Sequence, residues 1–203
     1  MMSRTPCLAV TVFLALVIAG ALSAEDGPDY SEAGFYVLPQ IGGAFFRSDV
    51  FVEFQDDFDE PETFSQEVNN KISYGLRVGH RWEKIAVELD GDYVPGTVNS
   101  FNVTLNGKWY PWTHRIQPYL MVGMGISYVR PVITDGSGVT QFGGTVFAMR
   151  AGIGAEFYIT EHWYTDLGAI YHYVTGPANR SDGASKFDQG YLGVRGGIGY
   201  RFF

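Results

Sequence analysis

Hydrophobic and polar residues alternate with period two along most of this chain. The clearest run is Ile85-Ala86-Val87-Glu88-Leu89-Asp90-Gly91-Asp92-Tyr93. Ile85, Val87, Leu89 and Tyr93 fall on one side, and Ala86, Glu88, Asp90 and Asp92 on the other. A helix would mix these two sets, whereas a strand separates them. In the preceding run Ile72, Tyr74, Leu76, Val78 and Trp82 alternate with Lys71, Ser73, Gly75, Arg77, Gly79 and Arg81. Phe101, Val103, Leu105 and Trp109 alternate with Asn102, Thr104, Asn106 and Lys108. Leu120, Val122, Met124 and Ile126 alternate with Tyr119, Met121, Gly123 and Gly125, and Phe147, Met149, Ile153 and Phe157 with Arg150, Gly152, Gly154 and Glu156. Trp163, Leu167, Tyr171 and Tyr173 alternate with Tyr164, Asp166, Gly168 and His172. Leu192, Val194, Ile198 and Tyr200 alternate with Gly193, Arg195, Gly197, Gly199 and Arg201. Residues 34–46 form an opening strand whose two faces are both fairly apolar, which brings the predicted strands to eight. Each run is about 10 to 13 residues, the length a tilted strand needs to cross a bilayer.

Alternation alone also suits a soluble β-sandwich or a lipocalin-like barrel, where the apolar face would point inward. Three features favour an antiparallel up-and-down transmembrane β-barrel of eight strands. The predicted connections alternate in length: 47–70, 131–144 and 175–189 are long and 94–99 moderate, whereas 83–84, 110–115 and 160–162 are short. Outer-membrane barrels show such long outer loops and short periplasmic turns. All four tryptophans, Trp82, Trp109, Trp112 and Trp163, fall at the short-turn end, and Phe45, Phe46, Tyr74, Tyr93, Phe101, Tyr128, Phe147 and Tyr173 at the other. These are two aromatic belts around an aliphatic band. Finally, the last strand runs into Tyr200-Arg201-Phe202-Phe203.

Composition agrees. The 203 residues suit one domain, and only 18% are charged against 16% aromatic, with 26 glycines. The net charge of −8 and the lack of a Lys/Arg cluster argue against a nucleic-acid partner. The single cysteine, Cys7, precedes an apolar run at 8–20, so disulfide or Cys-based zinc chemistry is not expected in the rest of the chain. Arg4, that run, and the small residues up to Ala24 have the layout of a secretory signal peptide. The expected organisation is a leader at 1–24, a periplasmic N-terminal segment at 25–33 and the barrel at 34–203.

With these features the chain resembles the small eight-stranded outer-membrane barrels of the OmpA and OmpX type and the broad opacity-protein-like barrel family. Gln117-Pro118-Tyr119-Leu120-Met121-Val122-Gly123-Met124-Gly125 is similar to the family's fifth strand, and Gly197-Ile198-Gly199-Tyr200-Arg201-Phe202 to its closing strand. The resemblance implies residence in the outer membrane, contact with its lipid and lipopolysaccharide, and handling by the barrel assembly machinery. It also implies a terminal aromatic assembly signal among Tyr200, Phe202 and Phe203, either phenylalanine being able to carry it. A structural or surface-interaction, adhesin-like role follows from the same resemblance. A small porin-like channel and an outer-membrane lipid-modifying enzyme stand as alternatives.

Catalytic and cofactor signals are weak. Gly123-Gly125, Gly152-Gly154 and Gly197-Gly199 lie in strands, so they read as space for large neighbours and not as nucleotide loops. No catalytic residue, metal site or cofactor is expected. The first outer loop concentrates Asp56, Asp57, Asp59, Glu60 and Glu62, a candidate contact for cations or a host or environmental ligand. The inward set holds Arg77, Arg81, Glu88, Asp90, Asp92, Lys108, Arg150, Glu156, Asp166, Arg195 and Arg201, which in so narrow a barrel predicts a charge network that fills it. A two-residue turn at 83–84 sets Arg77 opposite Asp90, with Glu88 diagonally between Arg77 and Arg81. Ile159 opposite Trp163 sets Glu156 against Asp166, with Arg201 as the expected cation between them.

Overall fold

The computed structural model describes residues 30–46, 50–55, 62–66, 70–95, 98–135, 138–141, 144–180 and 183–203. Only backbone is described for 46, 50–55, 62–66, 98, 131–135, 138–141, 177–180 and 183–188. The expected leader, residues 25–29, and Asp56, Asp57, Asp59 and Glu60 lie outside the described residues. Glu62 opens a strand, but its side chain is not among those described.

Every described element is a strand. These are β1 (Gly34–Phe46), β2 (Val50–Gln55), β3 (Glu62–Gln66), β4 (Lys71–Arg81), β5 (Ile85–Val94), β6 (Val98–Trp109), β7 (Ile116–Asp135), β8 (Gly138–Gln141), β9 (Gly144–Tyr158), β10 (Trp163–Arg180) and β11 (Gly183–Phe202). β1, β4, β5, β6, β7, β9, β10 and β11 pair antiparallel in that order, and β11 pairs back onto β1. The result is the expected closed eight-stranded barrel. Closure removes the sheet edge, which in a bilayer would expose unpaired N–H and C=O groups.

The alternation sorts side chains as predicted. Leu76, Leu89, Leu105, Leu120, Val122 and Met124 face outward and are about half exposed, because the surface that covers them is lipid. Their neighbours in sequence are buried inside. β1, ambiguous by sequence, turns Phe35, Ile41 and Phe45 outward and Tyr36, Leu38, Gln40 and Ala44 inward. The tryptophans of the short-turn end are all exposed. The glycine pairs make room inside: a Cβ on Gly154 would meet the Tyr119 ring, and one on Gly199 the Tyr164 ring.

The outer connections differ from the sequence reading. Strands replace most of the expected loops: β7 runs on to Asp135 and pairs with β8, and β10 and β11 stay paired up to Arg180 and Gly183. β2 pairs with β11 from Gln55 opposite Ala184 to Phe51 opposite Asp188, and β3 lies on β2. Above the barrel, therefore, β10, β11, β2 and β3 make a four-stranded extension. Gly176, Pro177 and Gly183 fall within the expected connection at 175–189 and are residue types that weaken strands. Pro177 is tolerated because β9 stops pairing at Thr175, leaving that stretch of β10 an edge, where no partner needs the missing N–H.

Candidate functional site: the buried charge network of the lumen

The turn at 83–84 fixes the first layer. Trp82 N–H donates to the Ile85 carbonyl at 2.8 Å, so Arg81 faces Ala86, Gly79 faces Glu88 and Arg77 faces Asp90. The predicted Arg77–Asp90 pair is present, Nε to Oδ2 at 3.5 Å. Arg77 does more than this. It reaches Glu88 Oε1 at 3.1 Å and Asp166 Oδ1 at 3.4 Å, and donates to Gln40 Oε1 at 3.1 Å. Glu88 is shared with Lys108 at 3.2 Å instead of Arg81, and also accepts from Tyr36 at 2.7 Å and Asn106 at 3.2 Å.

Toward the outside, two arginines from the far wall close the network. Arg150 on β9 holds Asp90 and Asp92 at 2.7 Å each. Arg195 on β11 holds Asp92 at 2.9 Å and Asp90 at 3.6 Å. Asn102 adds a donor to Asp92 at 2.9 Å. His172, stacked on Tyr191 at 4.6 Å, shares a hydrogen bond with Arg195.

Toward the periplasm, Glu156 and Asp166 face each other in register as predicted. The cation between them is Lys108 and not Arg201, with Nζ 3.3 Å from Glu156 and 3.7 Å from Asp166. Arg81 adds a contact to Glu156 at 3.4 Å. The register on β11 explains the correction: Asp166 pairs with Gly197, so Arg201 stands four residues nearer the periplasmic end. There Arg201 donates to the backbone carbonyls of Tyr30 and Glu32 at 2.9 and 2.8 Å. Tyr30 turns into the mouth and stacks on Tyr158 at 5.0 Å.

All eleven predicted network residues are therefore inside, and each is at most 3% exposed. Six are cations and five are carboxylates, and all five carboxylates have cationic partners. The sequence reading missed Tyr36, Gln40 and Tyr110 as members. Tyr36 and Gln40 sit on β1, whose faces could not be told apart, and Tyr110 lies one position past β6, donating to Glu156 at 2.7 Å. Their signal was phase alone, since each continues the inward parity of its strand. Among the described residues no group of His, Cys, Asp and Glu could hold a metal ion. At the C-terminus Phe202 pairs with Phe35 of β1, and Phe203 lies beyond the last strand against His162.

Comparison with known proteins agrees with this architecture. The barrel is similar to Neisserial surface protein A, with 14% identity, TM-score 0.54, and 84% of this chain covering 99% of that one. It is similar to the N-terminal β-barrel domain of OprF from Pseudomonas aeruginosa, with 13% identity, TM-score 0.55, and coverage of 84% and 100%. OprG from Pseudomonas aeruginosa gives 14% identity, TM-score 0.57, and coverage of 87% and 98%. At these identities the likeness is one of fold. No curated relative matches the sequence. Residues 11–202 match the family model of the outer membrane protein beta-barrel domain, and the chain belongs to that family of outer-membrane barrels.

Proposed function

We propose that this protein is a non-conducting barrel of the outer membrane, with a structural or surface-interaction role, that holds extended β-hairpins at the cell surface. The observation that carries the proposal is the band of buried ion pairs running from wall to wall across the lumen. Arg77, Asp90 and Glu88 have no exposed side-chain surface, and the guanidinium of Arg150 reaches from β9 to two carboxylates of β5. An ion would have to break several of these pairs to pass, and each broken pair leaves an uncompensated buried charge. The four-stranded extension above the barrel supports the surface role, since it continues the sheet beyond the bilayer. Asp90 and Asp92 are inward carboxylates near the outer end, but both are held by arginines, which supports a structural role over a catalytic one.

Recording from the purified protein in planar bilayers tests the proposal. The expected result is a membrane with no steady unitary conductance. Reproducible long-lived channel openings would refute it and would favour the small-channel reading.

A further inference from the structure

The barrel closes where its first and last strands meet, and that ladder differs from the rest. Among the described residues the other seven barrel ladders run in unbroken register. The β1–β11 ladder pairs Val37 with Tyr200 and Gln40 with Gly197, but the two steps between them, at Leu38 and Pro39, are missing. Toward β4 the same stretch of β1 pairs without a gap, with Pro39 opposite Leu76. Proline has no N–H to donate. Its carbonyl shows which strand it faces, because a Cβ added to Gly197 of β11 would strike the Pro39 oxygen. The N–H and C=O of one strand residue point to the same neighbour, so the absent N–H is the one that would have reached the Ile198 carbonyl.

The gap lies at bilayer depth. Pro39 stands four residues outward of Phe35, which at about 3.3 Å per residue and a tilt of about 40° places it about 10 Å into the apolar band. Pro39 and Ile198 both face lipid. In hydrocarbon no water replaces the donor that the Ile198 carbonyl lacks. The seam is also thinly covered. Gly43 and Gly196 take outward positions on β1 and β11, and Gly42, Gly197 and Gly199 inward ones. Glycine brings no side chain to pack over the ladder and regains the most backbone freedom when a strand parts. The side-chain ties of both strands run elsewhere: Tyr36 and Gln40 of β1 bond to Glu88 and Asp90 of β5, and Arg195 of β11 bonds to Asp92 of β5.

We infer that the folded barrel opens sideways along the β1–β11 seam, and that Pro39 sets this place by withholding one ladder hydrogen bond inside the bilayer. The seam is the ladder that parts first. The other seven hold, so the open form is a single curled sheet with β1 and β11 at its edges. The inference holds whether or not the barrel conducts, so it does not rest on the proposal above.

Amide hydrogen exchange, read residue by residue by NMR on the full chain in phosphatidylcholine nanodiscs, tests this. β11 supplies its own control, because alternate N–H groups along a strand point to opposite neighbours. Those of Gly196, Ile198 and Tyr200 point across the seam to β1, and those of Arg195, Gly197 and Gly199 point to β10 at the same depth. The seam set is expected to exchange roughly tenfold faster than the β10 set. Pro39→Ala and Pro39→Val both restore the missing donor. Each is expected to slow the seam set roughly tenfold and to leave the β10 set unchanged. Equal exchange of the two sets in the unchanged protein overturns the inference, and this comparison needs no variant to fold. Folded Pro39→Ala and Pro39→Val proteins whose seam amides exchange as fast as before overturn the role of Pro39 and with it the inference.

Discussion

Replacing Arg77 by methionine keeps most of the side-chain volume and removes one charge from the centre of the network. The consequence is uneven across its three carboxylate partners. Glu88 keeps Lys108 at 3.2 Å and the hydroxyl of Tyr36 at 2.7 Å. Asp90 keeps Arg150 at 2.7 Å and the amide of Gln40 at 2.8 Å. Asp166 keeps only Lys108, at 3.7 Å among the described contacts, so most of the penalty falls there. Breaking a buried pair typically costs about 3 to 5 kcal/mol, and the partners that remain place Arg77→Met near the lower end, about 3 kcal/mol. Lys84→Met in the exposed turn serves as the control, with an expected cost within about 0.5 kcal/mol. Urea unfolding in lipid vesicles, followed by tryptophan fluorescence and by unboiled gel mobility, measures both. The structure also bears on the reversed pair, Arg77→Asp with Asp90→Arg. If Arg77 and Asp90 met only each other, the reversal would recover part of the loss. In the folded barrel, Asp at 77 would meet Glu88 and Asp166, and Arg at 90 would meet Arg150 and Arg195. The reversal should therefore fail, whereas Arg77→Met with Asp166→Asn should cost at least about 1 kcal/mol less than the sum of the single changes. Equal stability of Arg77→Met and Lys84→Met, or full rescue by the reversed pair, would refute this account.

The folded protein should be heat-modifiable, since a closed barrel has no free edge from which to unravel; the check is boiled against unboiled samples on a gel in mild detergent, and identical mobility with a helical circular dichroism spectrum contradicts the fold. Trp82, Trp109, Trp112 and Trp163, each kept alone, should be quenched most by lipids brominated near the headgroup, and quenching at the bilayer midplane for any of them contradicts the topology. Arg201→Gln should release the segment around Tyr30 from the periplasmic mouth, seen as faster protease cleavage before residue 34 with the barrel still folded, whereas unchanged cleavage would show that Tyr30 is held without Arg201.

Much of this fold was legible because one rule, period two, decides both strand and face. Short turns extended that legibility to register: two residues at 83–84 suffice to bring Arg77 opposite Asp90, and the tight turn after Ile159 sets Glu156 against Asp166. Contacts across the lumen were not legible in the same way. Whether Arg150 reaches Asp90, or Lys108 reaches Glu156, depends on how far the strands stagger around the closed barrel, and no local spacing reports that. The misplacement of Arg201 has the same origin. The sequence pattern places a long outer connection at 175–189 between β10 and β11, so their register cannot be counted from a tight turn, and Arg201 falls four residues nearer the periplasmic end than expected. The outer strands were missed because glycine and proline usually mark loops, whereas an edge outside the bilayer can accommodate them beside water.

The crossing ion pairs have a mechanical consequence. A sheet rolled into a tube is a hoop, and a hoop flattens easily because bending is its softest deformation. Arg150 and Arg195 tie β9 and β11 to the aspartates of β5, while Arg77 and Lys108 tie β4 and β6 to Asp166 on β10. These contacts act as spokes set at different angles, so squeezing the tube along any diameter must compress or stretch some of them. The cross-section is thereby kept round against the uneven lateral pressure of the surrounding leaflet. Where barrel and bilayer differ in height, it is the lipid that must deform. The hairpins above stand on a base that does not sway.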